Sequence, residues 1–237
     1  MSDKVEVSNW YNSYSVRQLK TGVNLRHYTI INELIGAGLK RNSRVLEIGC
    51  GVGTLTGLML RYLRRGMVVS TDISDESVEI ARQLYGGTRR AEFIATDMKG
   101  FSHPGKFDFI VLADVLEHIP VGEHPDLFAR IAEHMHEKSL IFINLPHPKA
   151  LDYIRIHKPE LLQIIDQSIP ANSLLKDVYS NGLRLIEYSS RSIFDRESDY
   201  AMIWLKLDSP VTLSPLPKRC IIMNKFRARI RFLLSSL

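Results

Sequence analysis

A short apolar run that leads directly into three alternating glycines constrains this fold more than any other feature of the chain. The run covers residues 45–48 and contains the branched side chains typical of a buried strand. It is followed by Gly49, Gly51 and Gly53, and an apolar helical pattern begins at Thr54. Because glycine has no Cβ, such a strand-to-helix turn lets the backbone approach a ligand closely. The sequence therefore predicts a nucleotide-type site at the first strand-to-helix turn of an α/β sheet.

The spacing of these glycines and one acid indicates the kind of ligand. The dinucleotide fingerprint is G-x-G-x-x-G, whereas this chain has G-x-G-x-G with Glu47 two residues before the first glycine. A carboxylate there would repel a pyrophosphate and suits a ligand with a cationic amine and no phosphate. The acid-x-G-x-G-x-G pattern resembles the first motif of the class I S-adenosylmethionine-dependent methyltransferases. The alternative, a turn that binds nothing, is disfavoured because three alternating glycines are costly in chain entropy.

Strands and helices alternate over most of the chain, which predicts a doubly wound α/β fold. We predict five strands, at 44–49, 67–73, 91–97, 107–114 and 139–146. Two further segments, 183–192 and 200–207, flank a polar turn and predict an antiparallel hairpin. The expected fold is a mostly parallel seven-stranded Rossmann-like sheet with a C-terminal antiparallel hairpin and helices on both faces. Helical patterns are also expected over 9–39, 151–168 (interrupted or restarted at Pro159) and 173–180.

We divide the chain of 237 residues into three segments. Residues 1–39 form an N-terminal helical cap. Residues 40–208 form the domain that the resemblance implies binds S-adenosylmethionine, with an acceptor-lid insertion near 146–180. Residues 209–237 form a proline-containing linker and a basic amphipathic tail.

Acids end three successive predicted strands, at Asp72, Asp97 and Asp114. Ligands of open α/β sheets bind beyond these strand ends, and a carboxylate at Asp72 can accept both ribose hydroxyls of an adenosine. In the resembled family the position of Asp97 and Met98 contacts the adenine. Solvated turns or helix caps are the alternative explanation of these acids. The residues expected to bind the cofactor are Glu47, Gly49, Cys50, Gly51, Gly53, Thr54, Asp72, Ile73, Asp97, Met98, Ala113 and Asp114.

Residues 114–120, D-V-L-E-H-I-P, resemble the segment after strand four of small-molecule methyltransferases, including the quinone O-methyltransferases. His118 is the general-base candidate, because an imidazole titrates near pH ~6.5 and a hydroxyl acceptor must lose a proton. Glu117 accompanies it as the second catalytic candidate. Alternatively, neither residue takes part in the chemistry: Glu117 caps a helix and His118 packs under the cofactor.

A divalent metal is a further alternative for the same segment. Asp114, Glu117 and His118 have the spacing D-x-x-E-H, and some metal-binding methyltransferases have E-x-x-E-H there. Asp in the first position departs from that pattern. With His147 as a fourth ligand, such a site would suit magnesium or manganese. We assign no metal ligand, and the sequence leaves a divalent metal open as a second cofactor.

The acceptor pocket is expected from the segments added to the sheet. Aromatic and basic side chains there would suit a sugar, a phenol or a carboxylated acceptor, although ordinary packing is the alternative. The candidates are Tyr11, Tyr14, His27, His147 and Tyr153.

The positive charge of the chain is concentrated in the tail. The net charge is +5, but residues 218–237 carry six Lys and Arg and no acid, so the remainder is close to −1. The body is therefore not a basic nucleic-acid platform. On a helix, an apolar stripe of Ile222, Phe226, Ile230, Leu233 and Leu234 would dock on the domain or on a second subunit as a homodimer, or lie on an anionic membrane.

The chain shows no apolar run long enough for a membrane span and no secretory signal, and its two cysteines provide no disulfide framework. We therefore expect a cytoplasmic protein. The function predicted is methyl transfer from S-adenosylmethionine to a small-molecule acceptor, at oxygen or nitrogen, in a biosynthetic pathway. The alternatives are a nucleic-acid or protein methyltransferase and a non-catalytic cofactor-binding scaffold.

Overall fold

The computed structural model describes residues 15, 18–210 and 213–235, and these form a single seven-stranded sheet. Its strands are β1 (Arg44–Ile48), β2 (Met67–Asp72), β3 (Ala91–Ala95), β4 (Phe107–Ala113), β5 (Met135–Pro146), β6 (Leu183–Arg191) and β7 (Tyr200–Leu207). The spatial order is β3-β2-β1-β4-β5-β7-β6. Strands β1 to β5 pair in parallel, whereas β7 lies antiparallel between β5 and β6. The predicted mostly parallel sheet with a terminal antiparallel hairpin is confirmed.

Helices cover both faces of the sheet. They are α1 (Leu25–Gly36), α2 (Thr54–Tyr62), α3 (Asp75–Tyr85), α4 (His124–Glu133), α5 (Pro148–His157), α6 (Ala171–Ser180) and α7 (Lys218–Ser235). Side chains of α1 and α2 pack with Val45 and Val111 on one face. Side chains of α4 and α6 pack with Leu46 and Leu112 on the other. Alternate residues of the same strands thus enter two cores, which explains why these strands are apolar throughout.

Two predicted helices are shorter than expected because local backbone chemistry interrupts them. In the N-terminal segment, residues 18–21 are helical, Gly22 has φ +57°, and α1 begins anew at Leu25. Asn24 caps α1 by accepting a hydrogen bond from the His27 N–H, and His27 returns a bond to the Asn24 N–H. The second helix ends at His157, because Pro159 cannot continue it, and the chain forms a 3-10 turn at Pro159–Leu161.

The switch point of the sheet lies between β1 and β4, where the strand order changes direction. Loops after these strands diverge to opposite sides, which leaves a crevice at their carboxyl ends. The glycine turn between β1 and α2 therefore lies beside the segment after β4, although more than 60 residues separate them in sequence.

Candidate active site

A cavity of about 1110 Å³ opens beyond the carboxyl ends of β1 to β4. Its wall includes the glycine turn, the ends of β2 and β3, and the 3-10 turn Leu116–His118 after β4. Of the residues predicted to bind a cofactor, it brings together Gly49, Gly51, Asp72, Ile73, Asp97, Met98, Ala113 and Asp114. Its volume matches the upper range of small-molecule sites, so a ligand of nucleoside size leaves room for a second molecule.

The glycine turn is shaped so that larger residues would not fit. Gly49 has φ +75°, and a Cβ there would lie 2.2 Å from Cγ2 of Val115. Gly51 has φ +52°, and a Cβ would lie 2.5 Å from Oε1 of Gln18. Gly53, by contrast, is the N-cap of α2 with φ +81° and packs against Ala81 and Tyr85 rather than lining the cavity. The first two glycines therefore shape the cavity, and the third starts the helix.

Asp72 is held rigidly at the end of β2. Its Oδ2 accepts a hydrogen bond from the Gly51 N–H at 2.7 Å, and its Oδ1 accepts one from the Ser74 N–H at 2.9 Å. Burial raises the pKa of Asp72, and these backbone donors oppose that rise. A carboxylate with two fixed bonds still has lone pairs that face the cavity, so it can accept hydroxyl hydrogens from a ligand.

Two further wall residues have left-handed backbone conformations. Met98 has φ +65° after β3, and Asp114 has φ +54° after β4. Non-glycine residues adopt this region at a cost, and such residues cluster at functional sites. Asp114 forms an ion pair with Arg26 and accepts a hydrogen bond from Nδ2 of Asn144 at 3.0 Å. Asp97, which is exposed, lies in the wall next to Met98.

Glu47, Cys50, Thr54 and His27 line a smaller cavity of about 190 Å³ that shares Arg26 with the large one. The carboxylate of Glu47 is buried, and its Oε2 accepts hydrogen bonds from Thr56 Oγ1 at 2.5 Å and Ser70 Oγ at 2.9 Å. Burial raises the pKa of Glu47 to about 7, although the two hydroxyls act in the opposite direction.

The imidazole of His27 takes part in the N-terminal cap of α1, where its Nδ1 accepts a hydrogen bond from the Asn24 N–H. Burial and the nearby Arg26 charge lower the pKa of this imidazole to about 4, so it is neutral at physiological pH.

The two catalytic candidates lie on the 3-10 turn after β4. Nδ1 of His118 is 2.5 Å from the Ile165 carbonyl oxygen and 3.3 Å from Oδ1 of Asp166. Its Nε2 is 3.8 Å from Oε1 of Glu117. Because a carbonyl only accepts hydrogen bonds, the neutral imidazole carries its hydrogen on Nδ1 and its lone pair on Nε2. Burial lowers the pKa of His118, which keeps this neutral form at physiological pH.

Glu117 is a buried carboxyl group beside that imidazole. It is 1% exposed, and neither carboxyl oxygen has a hydrogen-bond partner among the described residues. Burial raises the pKa of Glu117, and the charge of Asp166 raises it further. The nearby backbone N–H groups of Glu117 and Val115 and the charge of Arg26 lower it. His118 lines the large cavity, and Glu117 lies behind it.

The structure does not gather the other acceptor candidates at the cavity. His147 precedes α5, and its N–H donates to the Asp199 carbonyl. Tyr153 on α5 is about half exposed and stacks on His157, with ring centroids 4.3 Å apart. Tyr11 and Tyr14 lie outside the described residues. Over the part of the chain that the structure describes, there is no group of three or more His, Cys, Asp or Glu side chains arranged to hold a metal ion.

Several residues that line the cavity could not be predicted as site residues, because they belong to no sequence motif. Gln163 and Ile165 follow the 3-10 turn at Pro159–Leu161 in an irregular stretch, and they reach the cavity because β5 and α5 fold this segment over His118. Arg26 lies on α1 and lines the cavity, and its positive charge is the only sequence feature that could have indicated a role there. Its guanidinium joins Asp114 to the hydroxyl of Tyr200, which it reaches at 3.3 Å.

Comparison with known proteins relates this chain and its fold to methyltransferases. A family model described as a methyltransferase domain matches residues 45–138, from β1 through the start of β5. The chain therefore contains a methyltransferase domain over residues 45–138. Magnesium protoporphyrin IX methyltransferase from Synechocystis PCC 6803, solved with S-adenosylhomocysteine, superposes on 86% of this chain and 99% of its own, with a TM-score of 0.68 and 18% identity.

Curated relatives match the methyltransferase domain over shorter stretches. Ubiquinone biosynthesis O-methyltransferase from Thiobacillus denitrificans is 35% identical over 81 residues, 32% of this chain and 34% of that protein. An rRNA adenine N-6-methyltransferase from Bacteroides fragilis is 30% identical over 125 residues, 51% of this chain and 41% of that protein. The chain thus spans about a third to two fifths of the length of these relatives.

The matched segment is a methyltransferase domain, and the structural neighbours include methyltransferases solved with S-adenosylmethionine or S-adenosylhomocysteine. The predictions of family, fold, enzyme class and cofactor are therefore confirmed at the level of the domain. The names of these relatives state different methyl acceptors. The match to the domain therefore does not identify the methyl acceptor of this chain.

Proposed function

We propose that this chain transfers a methyl group from S-adenosylmethionine to an oxygen or nitrogen atom of a small molecule in a biosynthetic pathway. One observation carries the proposal: His118, with its basic lone pair on Nε2, lies in the wall of the same cavity as the glycine turn and Asp72. A cofactor site and a candidate base thus share one space large enough for two ligands.

The residues present fit S-adenosylmethionine, which supplies an electrophilic methyl group on a positively charged sulfonium. Asp72 would accept the ribose hydroxyls, and Asp97 with Met98 would lie at the adenine. Gly49 and Gly51 let the backbone approach the ligand. The wall contains more carboxylates than cations, and this negative balance favours a cationic ligand and disfavours a pyrophosphate. Of the four remaining predicted contacts, Glu47, Cys50 and Thr54 line the smaller adjoining cavity, whereas Gly53 lines neither cavity.

His118 would act as the general base. As the acceptor oxygen forms its bond to the methyl carbon, the bond from carbon to sulfur breaks, and S-adenosylhomocysteine leaves. The acceptor proton passes to Nε2 of His118, and the imidazolium is stabilised by the carboxylate of Asp166 3.3 Å from Nδ1. Glu117, buried behind the ring, would hold it in position. A neutral amine needs only alignment with the sulfonium, so its rate would depend less on His118.

The segment division supports the same proposal. Residues 40–208 would form the catalytic domain, residues 1–39 a cap over the cofactor, and residues near 146–180 a wall of the acceptor site. Gln163 and Ile165 of that insertion line the cavity, as does Arg26 of the cap. The likeness to an rRNA methyltransferase favours RNA as the second candidate acceptor. Against it stands the net charge near −1 outside the tail, because RNA binding requires a basic surface.

Methyl-labelled S-adenosylmethionine distinguishes these acceptors. The protein is incubated with separate metabolite, RNA and protein fractions of a cell extract, and label is counted in each. We expect label in the metabolite fraction, and less of it with His118→Gln. His136→Gln, at a half-exposed histidine on β5 that bonds Asp108, is the matched control. Label confined to RNA or protein would overturn the proposal.

A further inference from the structure

Helix α7 differs from every other part of the described chain in both charge and exposure. It covers Lys218–Ser235 and carries six Lys and Arg and no acid. Its large apolar side chains are nevertheless exposed: Ile222 is 68%, Phe226 64% and Leu234 67% accessible. Apolar side chains of this size are normally buried, and contiguous exposed ones mark an interaction surface.

The apolar and basic residues of α7 are sorted around the helix. At a helical period, one stripe is formed by Ile222, Met223, Phe226, Ile230, Leu233 and Leu234. Cations border the stripe on both sides: Lys218, Lys225 and Arg229 along one edge, Arg227 and Arg231 along the other. Arg219 interrupts the stripe in the first turn, and Ile221 and Phe232 lie on the opposite face. This arrangement is an apolar stripe between two basic edges.

The structure points to the surface of an anionic phospholipid membrane as the partner of this helix, and we propose that α7 binds there. The stripe would lie among the acyl chains, while the bordering cations reach lipid phosphates and carboxylates at the headgroup level. Among the described helices, none is long and apolar enough to cross a membrane. The helix would therefore lie in the plane of the interface.

Charge favours this partner over the alternatives. A second copy of the same chain would bring another helix of six cations and a body with a net charge near −1, which offers little complementarity. RNA would pair with the cations but leave the apolar stripe in water. Of these three partners, only the anionic membrane satisfies both the charge and the stripe. Residues 209–217 join β7 to α7 and contain three prolines, and their described part, 209–210 and 213–217, has no helix or strand. The body therefore need not block the helix from a surface.

Vesicle sedimentation of the full-length protein tests the proposal. The probes are vesicles of phosphatidylcholine alone and of phosphatidylcholine with phosphatidylserine, at low and high salt. We expect binding to the anionic vesicles only, weakened by salt because the charges lie at the surface. Arg229→Gln should lower the partition coefficient about fivefold, because each cation near anionic lipid contributes about 1 kcal/mol to binding and that free energy corresponds to this fold-change. Lys149→Gln, an exposed cation on α5, should leave it unchanged.

Two neighbouring isoleucines provide the control for the stripe. Ile222→Asn places an amide in the stripe and should lower binding about tenfold or more, because the buried isoleucine is lost. Ile221→Asn makes the same change on the opposite face and should have little effect. Equal effects of the two variants, or equal binding to both kinds of vesicle, would overturn the proposal. So would a dimer in light scattering, or retention on RNA, that depends on Ile222 or Arg229 while vesicles bind nothing.

Discussion

At the residue scale, the acids around the glycine turn have different environments and therefore different roles. Asp72 is fixed by two backbone N–H donors and faces the large cavity. Glu47, two residues before the first glycine, is enclosed by the hydroxyls of Thr56 and Ser70. The sequence identified Glu47 from its position before the glycines and Asp72 from its position at the end of the second strand. It could not show that Glu47 faces α2 and β2, since that depends on hydroxyls 9 and 23 residues away.

Glu47 makes stability depend on pH in a predictable direction. Its pKa is raised to about 7 in the folded protein, so the unfolded chain releases the proton more readily. The stability that this group contributes is complete below the unfolded pKa of about 4.5 and is lost as pH rises through about 7. Glu47→Gln does not titrate. Between about pH 5 and pH 8 the variant should therefore gain on the order of 2–3 kcal/mol relative to the original protein.

Urea unfolding at the two pH values measures this gain for Glu47→Gln. Glu187→Gln, at an exposed carboxyl on β6, is the control and should show no such change. If the difference between Glu47→Gln and the original protein is the same at both pH values, Glu47 is ionised throughout and its assigned environment is wrong.

His118→Gln should separate turnover from cofactor binding. We expect turnover on a hydroxyl acceptor to fall by roughly 10²–10⁴, the usual contribution of a general base. Affinity for S-adenosylhomocysteine should stay within about twofold. Because burial lowers the pKa of His118, the original protein should lose activity only as pH falls below about 6.5, and the variant should lack that limb. Steady-state kinetics against pH, with the affinity measured separately, provides both readouts. Unchanged turnover in the variant would remove His118 from the mechanism.

At the element scale, the site depends on contacts between the turn after β1 and the turn after β4. Gly49 lies directly against Val115, and both belong to the cavity wall. The sequence predicted each element because strand patterns and glycines are local signals. Helix limits were less accurate, since Gly22 and the irregular residues after Pro159 act through backbone geometry and long-range packing. For the same reason, Gln163 and Ile165 could not be placed in the site from sequence.

Gly49→Ala tests this contact. The new Cβ would lie 2.2 Å from Cγ2 of Val115 at a φ of +75°, so both the clash and the left-handed backbone oppose it. We expect a loss of about 1–3 kcal/mol in the free energy of unfolding and weaker binding of S-adenosylhomocysteine. Gly87→Ala follows α3, where a Cβ meets nothing within 4 Å, and should change neither quantity. Thermal melting with and without ligand measures both. Equal melting and ligand shifts for the two variants would contradict the assigned packing.

At the scale of the whole molecule, chemistry and charge are spatially separated. The acidic cavity lies at the carboxyl edge of the sheet, whereas the positive charge lies on α7, beyond the last strand. The alternation of strands and helices in the sequence predicted the mostly parallel sheet, and the glycine motif after Glu47 predicted the family. The strand order itself comes from the structure. The sequence left open whether the tail docks on the body. In the structure, Ile222, Phe226 and Leu234 of the tail are exposed, so the described part of the body does not cover these three side chains.

Calorimetric titration of the full-length protein with S-adenosylhomocysteine and with NAD tests the central claim most directly. The account predicts saturable heat with S-adenosylhomocysteine and none with NAD, because carboxylates in the wall disfavour a pyrophosphate. Asp72→Asn should weaken binding at least about tenfold, since hydrogen bonds to a charged group are worth roughly 1.5–3 kcal/mol each. Asp75→Asn, three residues away on the exposed first turn of α3, should bind normally. No heat with S-adenosylhomocysteine, tighter binding of NAD, or equal affinities of the two variants would contradict the account.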